Sequence, residues 1–293
     1  MSQHPLGGIF SALVTPFHTD GRLKDDVVPE LVDFELAQGI DGFYVGGSTG
    51  EAFLQSNAER AHYLRFVAEA ARGRCTLIAH IGNVGTRDAI ELGAAAAEAG
   101  YNAISAIPPF YYDFSREELV AHYRTLADAI DVPLVIYNFA GRSGRLTAAD
   151  IHDLLEYPRV AGVKHTSQDL FQLERFKRLY PNAVVYNGFD EMCLGGLSMG
   201  ADGAIGTTFN FMGDLFVEMR MAHAEKRMDD ALALQVRANR VIDVLIEVGV
   251  FPGTKALLKL LGYDCGECRA PFRKLDAEGW KKIEHCLRYV LNQ

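Results

Sequence analysis

Val160-Ala161-Gly162-Val163-Lys164 is a short run of apolar, partly β-branched residues that ends on a charged side chain. Amphipathic segments with helical spacing flank it, Ala148 to Leu155 before and Leu170 to Leu179 after. The same alternation, a short apolar run bounded by Gly or Pro and then a longer amphipathic segment, repeats eight times along the chain. The pattern predicts strands at Ile9 to Val14, Gly42 to Val45, Thr76 to Ala79, Ala103 to Ala106, Leu134 to Tyr137, Val160 to Lys164, Ala183 to Tyr186 and Gly203 to Ile205. Helices are predicted between them, among them Val27 to Gln38, Ala58 to Ala71, Thr86 to Ala99 and Arg116 to Ile130, several opened by capping residues such as Asn57, Ser115 and Thr147.

The predicted strands are almost continuously apolar, as expected when helices bury both faces of a parallel sheet. Eight units in roughly 210 residues suit an α/β fold closed into a (β/α)8 TIM barrel. An open, doubly wound sheet is the other arrangement such alternation allows, but the first unit lacks a G-x-G-x-x-G turn. From about residue 209 the pattern is helical only, through Phe216 to Lys226, Asp229 to Val248, Thr254 to Leu261 and Ala277 to Leu291. The expected organisation is a barrel over residues 1–226 and a C-terminal helical extension over residues 227–293 packed on it, with no linker between independent domains.

The 293 residues are 49% hydrophobic and 23% charged, enough apolar material for one large core. An excess of 38 acidic over 29 basic side chains gives a net charge of -9, which opposes attraction to nucleic acid or anionic lipid. Residues 1–15 lack the features of a secretory signal and no apolar run reaches membrane-spanning length, so a cytoplasmic location is expected. Five scattered cysteines, Cys75, Cys193, Cys265, Cys268 and Cys286, do not suggest a disulfide framework. Cys265 and Cys268 have CxxC spacing, but no second ligand pair would complete a tetrahedral site. Neither a metal nor an organic cofactor is expected.

In such a barrel the chemistry gathers at the C-terminal ends of the strands. That rule singles out Ser48, Thr49, Glu51, Tyr137, Lys164, Asp190, Glu191, Thr207 and Thr208. Of the nine lysines, only Lys164 stands inside a predicted strand. Burial there would lower its pKa, and a partly neutral amine attacks ketones to give an iminium that withdraws electrons from the adjacent carbon. A lysine snorkelling to solvent, or paired with a carboxylate, explains the position equally well. Tyr137 ends the strand next to that of Lys164 in barrel order, where a phenol can shuttle protons. The turn Gly46-Gly47-Ser48-Thr49-Gly50 offers N–H groups and two hydroxyls to a carboxylate, although an ordinary capped turn has the same composition. In Asn187-Gly188-Phe189-Asp190-Glu191 the two acids suit either a polyol or the start of the next helix. His80 and His165 read as hydrogen-bonded packing groups.

Three motifs in combination, Gly47-Ser48-Thr49-Gly50-Glu51, Tyr137-Asn138 and Val163-Lys164-His165-Thr166-Ser167, carry a resemblance over the whole chain. It resembles the pyruvate-dependent Schiff-base lyases, the family that contains dihydrodipicolinate synthase and N-acetylneuraminate lyase. The resemblance implies a homotetramer of β/α barrels, with Lys164 as the Schiff-base lysine, Tyr137 as the proton-transfer group, and Ser48 with Thr49 binding the pyruvate carboxylate. It further implies that Tyr111, in Pro108-Pro109-Phe110-Tyr111-Tyr112, is lent across a subunit interface. Ser48, Tyr186-Asn187-Gly188-Phe189-Asp190-Glu191, Thr166-Ser167-Gln168-Asp169-Leu170 and Thr207-Thr208-Phe209-Asn210 are most similar to the sialic-acid-cleaving branch. That similarity implies that Gly188, Asp190, Glu191, Gly206 and Thr207 bind the sugar-derived part of a substrate, and that Thr166 lines the same site.

Asn138-Phe139-Ala140-Gly141-Arg142-Ser143 departs from that branch. Arg142 stands where sialic acid lyases commonly carry an apolar residue, whereas the synthases place an arginine there to receive the carboxylate of aspartate semialdehyde. Ala140 replaces the family's usual proline. The first expected activity is reversible cleavage of N-acetylneuraminate, or a related 2-oxo sugar acid, to pyruvate and an aldehyde such as N-acetylmannosamine. The second, supported by Arg142 as a substrate-binding residue, is condensation of pyruvate with aspartate semialdehyde. The third is a non-catalytic pyruvate or sugar-acid sensor, against which intact Lys164 and Tyr137 speak.

Overall fold

Eight short strands, β1 (Gly8–Ala12), β2 (Gly42–Val45), β3 (Thr76–His80), β4 (Ala103–Ala106), β5 (Leu134–Phe139), β6 (Val160–Thr166), β7 (Val184–Asn187) and β8 (Gly203–Gly206), pair in sequence order. Every pairing is parallel, and β8 returns to β1 to close the barrel. These features come from a computed structural model that describes residues 4–139 and 146–290. Helices α1 (Val28–Ala37), α2 (Asn57–Ala71), α3 (Thr86–Glu98), α4 (Arg116–Ala129), α5 (Ala148–Leu155) and α6 (Leu170–Leu179) alternate with the strands. A seventh, α7 (Cys193–Ser198), follows β7; its six residues are too few to show a helical period in the sequence.

Closing the sheet splits each apolar strand between two cores, because successive side chains point to opposite faces. Phe10, Tyr44, Val135, Tyr137, Val184, Tyr186 and Ile205 fill the barrel interior. Ile9, Phe43, Val45, Leu134, Ile136, Val163 and Val185 face the helical ring. The interior is shut at its N-terminal end, where the Tyr186 hydroxyl donates to the carbonyl of Leu6, itself a member of the inner core. On β6, Gly162 has no room for a Cβ, which would lie 1.9 Å from the Val184 carbonyl oxygen. Two residues further on, the same parity brings Lys164 inward.

Strands β5 and β6 run past their predicted ends and take polar residues into the ladder. These residues satisfy one another, since Asn138 Nδ2 donates to His165 Nδ1 at 3.0 Å and His165 Nε2 bonds the Asp169 carbonyl at 3.0 Å. At α2 the cap is Ser56 and not Asn57: Ser56 accepts from the Glu59 N–H, and Glu59 accepts from the Ser56 N–H. Ser115 and Thr147 cap α4 and α5 in the same reciprocal way.

After β8 the chain is helical, through α8 (Phe209–Ala224), α9 (Met228–Val248), α10 (Val250–Leu260) and α11 (Ala277–Val290). Gln235 on α9 ties this group to the barrel rim, accepting from the Leu194 N–H at 2.9 Å and donating to the Asp190 carbonyl at 3.0 Å. Among the described residues, no helix is long and apolar enough to cross a membrane.

Glu35 of α1 is fully buried, and neither carboxyl oxygen has a partner within ordinary hydrogen-bond geometry among the described residues. Burial pushes its pKa well above the usual carboxylate range, against a smaller opposing effect of the nearby Ser11 hydroxyl. A carboxyl whose pKa is raised on folding binds its proton more tightly in the folded state, so stability is greatest below the ordinary value and declines as pH rises above it. Glu35→Met is expected to raise the melting temperature by a few degrees, consistent with about 1–3 kcal/mol for removing a buried unsatisfied group. The gain should be larger at pH 8 than at pH 5 in thermal melts.

Candidate active site

At the C-terminal end of the barrel lies a cavity of about 480 Å³, and Lys164 is at its base. The lysine is 4% exposed, and its Nζ lies 4.2 Å from the ring centroid of Tyr137 and 4.4 Å from that of Tyr44. The pairing of β5 with β6 sets Tyr137 directly opposite Lys164. Burial lowers the lysine pKa to about 7, with the Asp190 carboxylate working in the other direction. The two ring faces also favour the ammonium, so the amine is held close to a proton without a carboxylate in direct contact. Tyr44 is not among the strand-end residues that the sequence singles out, because within Gly-Phe-Tyr-Val only the two-residue period of a strand tells that it shares the interior with Tyr137.

The turn after β2 supplies Ser48 and Thr49 to the same cavity. Their backbone N–H groups donate to no acceptor among the described residues, which leaves them available to an anion. Thr49 Oγ1 is fixed by Thr207 Oγ1 at 2.7 Å, so the turns after β2 and β8 are joined across the mouth. His80 lies behind this turn with both ring nitrogens occupied, Nδ1 against the Gly46 carbonyl at 2.9 Å and Nε2 accepting from the Ile107 N–H at 3.3 Å. Burial and the neighbouring Arg60 keep it neutral, in the packing role expected of it.

Asp190 does not cap its own helical turn. Its Oδ2 accepts from the N–H and the hydroxyl of Thr208, both at 2.7 Å, and burial raises its pKa to about 6. Gly206 makes this position possible, since a Cβ there would sit 2.5 Å from Asp190 Oδ1. Gly188 is equally constrained: a Cβ would fall 1.9 Å from Thr166 Oγ1, a buried hydroxyl without a hydrogen-bond partner among the described residues. Glu191 and Thr207 complete the polar side of the cavity. Its opposite wall is apolar and comes from α9, α10 and the segment beyond, including Ile242, Ile246, Phe251 and Phe272. These wall residues carried no local signal, because nothing in a helix's own sequence tells which strand ends it will cover.

Tyr111 is 75% exposed and lies outside the cavity, in an edge-to-face contact with Tyr112. Arg142 lies outside the described residues. No three His, Cys, Asp or Glu side chains converge as metal ligands among the described residues. A second cavity, about 520 Å³, lies beyond Pro252 and Arg273, but its cations are largely paired: Lys24 and Lys259 with Asp264, Arg269 with Glu59, and Lys274 with Glu267.

A buried amine of lowered basicity, faced by a phenol and an open anion-accepting turn at the rim of a (β/α)8 barrel, defines the class as Schiff-base-forming barrels. The chain belongs to the Dihydrodipicolinate synthetase family, whose profile matches residues 5–289. It is 58% identical to the N-acetylneuraminate lyase of Rhizobium meliloti over 98% of this chain and 96% of the relative, and 46% identical to that of Salmonella typhimurium over 92% of each. Among solved structures, it matches the N-acetylneuraminate lyase of Mycoplasma synoviae with a TM-score of 0.91 at 36% identity, over 97% of this chain and 98% of that one. The Fusobacterium nucleatum N-acetylneuraminate lyase complexed with pyruvate gives 0.92 at 31% identity, over 98% and 97%.

A lysine whose pKa is lowered on folding costs stability whenever it must be charged in the folded state. The full cost applies below about pH 7 and fades as pH rises toward the ordinary value of 10.5. Lys164→Met is therefore expected to melt at a higher temperature than the parent at pH 6, with the gap narrowing between pH 7 and 10. Melts across that range by circular dichroism would show this; a constant gap would contradict the assigned titration.

Proposed function

We propose that the protein is a class I aldolase that cleaves N-acetylneuraminate reversibly to pyruvate and N-acetylmannosamine. The observation that carries the proposal is the placement of Lys164: buried, titrating near neutrality, against Tyr137, in one cavity with Ser48, Thr49, Asp190 and Glu191. Names of relatives support the substrate, since the matches at 58% and 46% identity are N-acetylneuraminate lyases.

In this scheme the carboxylate of the open-chain sugar acid is received by the Ser48 and Thr49 N–H groups and hydroxyls. The neutral amine of Lys164 adds to the C2 ketone, and loss of water from the carbinolamine leaves an iminium. The C3–C4 bond then breaks: its electrons flow into the iminium to form an enamine, while the C4 hydroxyl becomes the aldehyde by giving its proton to the phenolate that Tyr137 became on protonating the departing water, and the restored phenol holds the proton that C3 takes next. Protonation of the enamine at C3 and hydrolysis release pyruvate and restore the amine. Asp190, Glu191, Thr207 and the Thr166 hydroxyl take hydrogen bonds from, or donate them to, the polyol. Gly188 and Gly206 leave room for it.

A homotetramer belongs to the same proposal. Phe53, Phe110, Tyr111 and Tyr112 form an exposed aromatic group at the barrel rim, with Phe53 and Phe110 rings 4.6 Å apart. Such a patch suits burial against a second copy, from which Tyr111 would be lent.

Arg142 favours a second reading, condensation of pyruvate with aspartate semialdehyde, through a bidentate bond to the aldehyde's carboxylate. Both readings require that pyruvate with borohydride label Lys164, at a rate that rises with pH through about 7. Assays of N-acetylneuraminate cleavage and semialdehyde condensation, run side by side, should give activity in the first. Condensation alone would transfer the assignment to the synthase reaction, with Arg142→Leu then expected to abolish it. Tyr137→Phe should still be trapped by borohydride while losing roughly 10²–10⁴-fold in kcat, the usual contribution of a positioned acid–base group.

A further inference from the structure

Glu51 ends the Ser48–Thr49 turn in a conformation that a glutamate seldom adopts. Its backbone is left-handed, at φ 54 and ψ 37, and its N–H donates to the Ser48 carbonyl at 3.0 Å. Its carboxylate leaves the barrel altogether. Oε1 accepts from Lys255 Nζ of α10 at 2.6 Å, and Oε2 accepts from the Arg269 N–H at 2.7 Å. Both charged side chains are buried, Lys255 at 2% exposure and Glu51 at 3%. Arg269 also donates to the Leu54 carbonyl at 2.7 Å, three residues beyond Glu51, and both cations lie over the Phe17 ring, at 4.5 and 4.3 Å. The turn is thus gripped at two points by the C-terminal extension.

We infer that the clasp of Glu51 by Lys255 and Arg269 is a positioning device that holds the Ser48–Thr49 amides in register for a pyruvate carboxylate. The inference rests on the pyruvate reading above. A buried ion pair is poor evidence of stabilisation, because desolvation offsets the attraction and an apolar pair often serves as well. A left-handed non-glycine residue likewise persists only where its surroundings impose it. Both costs fall on the residue that follows the anion-accepting turn, and both are met by groups from outside the barrel. Elsewhere the turn is held by neutral bonds among the described residues, such as those from Thr15 Oγ1 and Gln55 Nε2 to the Gly50 carbonyl. Without the clasp, residue 51 relaxes toward right-handed or extended backbone and swings the two amides away from Lys164. Neither Glu51 nor Lys255 lines the cavity, so the effect reaches the substrate only through the turn.

The test uses the full-length enzyme in the synthetic direction, with pyruvate and N-acetylmannosamine, and two variants. Lys255→Met strands a buried carboxylate, and Glu51→Gln/Lys255→Met removes that penalty while leaving the clasp open. In both, the KM for pyruvate is expected to rise by about tenfold or more, while kcat at saturation and the KM for N-acetylmannosamine stay within about threefold, the signature of lost ground-state positioning. The double variant should recover most of the melting temperature lost in the single one, without recovering the pyruvate KM. A merely structural ion pair would lower the folded fraction and apparent kcat and leave KM alone. That result, or a double variant in which pyruvate KM returns to the parental value, would overturn the inference while the parent enzyme is still labelled by pyruvate and borohydride. A parent that is not labelled at all would remove the pyruvate reading, and this inference with it.

Discussion

A closed ring of eight parallel strands admits only two directions for a side chain, and the function proposed for this chain depends on which one Lys164 takes. Inward, at the end of β6, the lysine meets the faces of Tyr44 and Tyr137 and loses most of its water. Outward, it would have joined Val163 against the helical ring, where no substrate could reach it. Gly162 has a part in this choice, because the close approach of β7 at that level leaves no space for a side chain below the lysine. The surrounding groups suit the proposed role of an amine that sheds its proton: the nearest faces are aromatic, and Asp190 is engaged with Thr208 instead of forming an ion pair with it.

Much of this was legible in the sequence, for a physical reason. Parallel strands buried on both faces are marked by unbroken apolar character, so a charged residue at the end of such a run stands out. Lys164 and the Ser48–Thr49 turn were visible in that way, and the barrel rule put them at one end. Thr166, Gly188 and Gly206 became meaningful only by resemblance, since no local pattern encodes that Thr166 and Asp190 crowd these glycines so closely that an added Cβ would meet them at 1.9 and 2.5 Å. Asp190 was ambiguous between a helix start and a binding group; the bonds from Thr208, which come from a different strand end, remove the helix-start role.

The apolar wall was not legible. Residues such as Ile246 and Phe251 belong to helices whose periodicity announces an amphipathic face but not the surface it meets. The link between Glu51 and Lys255 spans 204 positions of sequence, and a glutamate after a glycine-rich turn has several ordinary explanations. Long-range polar pairs of this kind are where reading one chain by periodicity stops, because periodicity reports on neighbours three or four residues away.

The seal at the base of the barrel, where Tyr186 reaches the Leu6 carbonyl, has a kinetic meaning. Among the described residues it closes the barrel interior at the end away from the cavity. Under the proposed reaction, the fragment anchored to Lys164 sits deepest and the polyol fragment stands between it and solvent. Departure must then follow the order of stacking, the sugar first and the three-carbon acid second. A sequential order of release would follow here from the covalent bond to Lys164, reinforced by a vessel closed at its base.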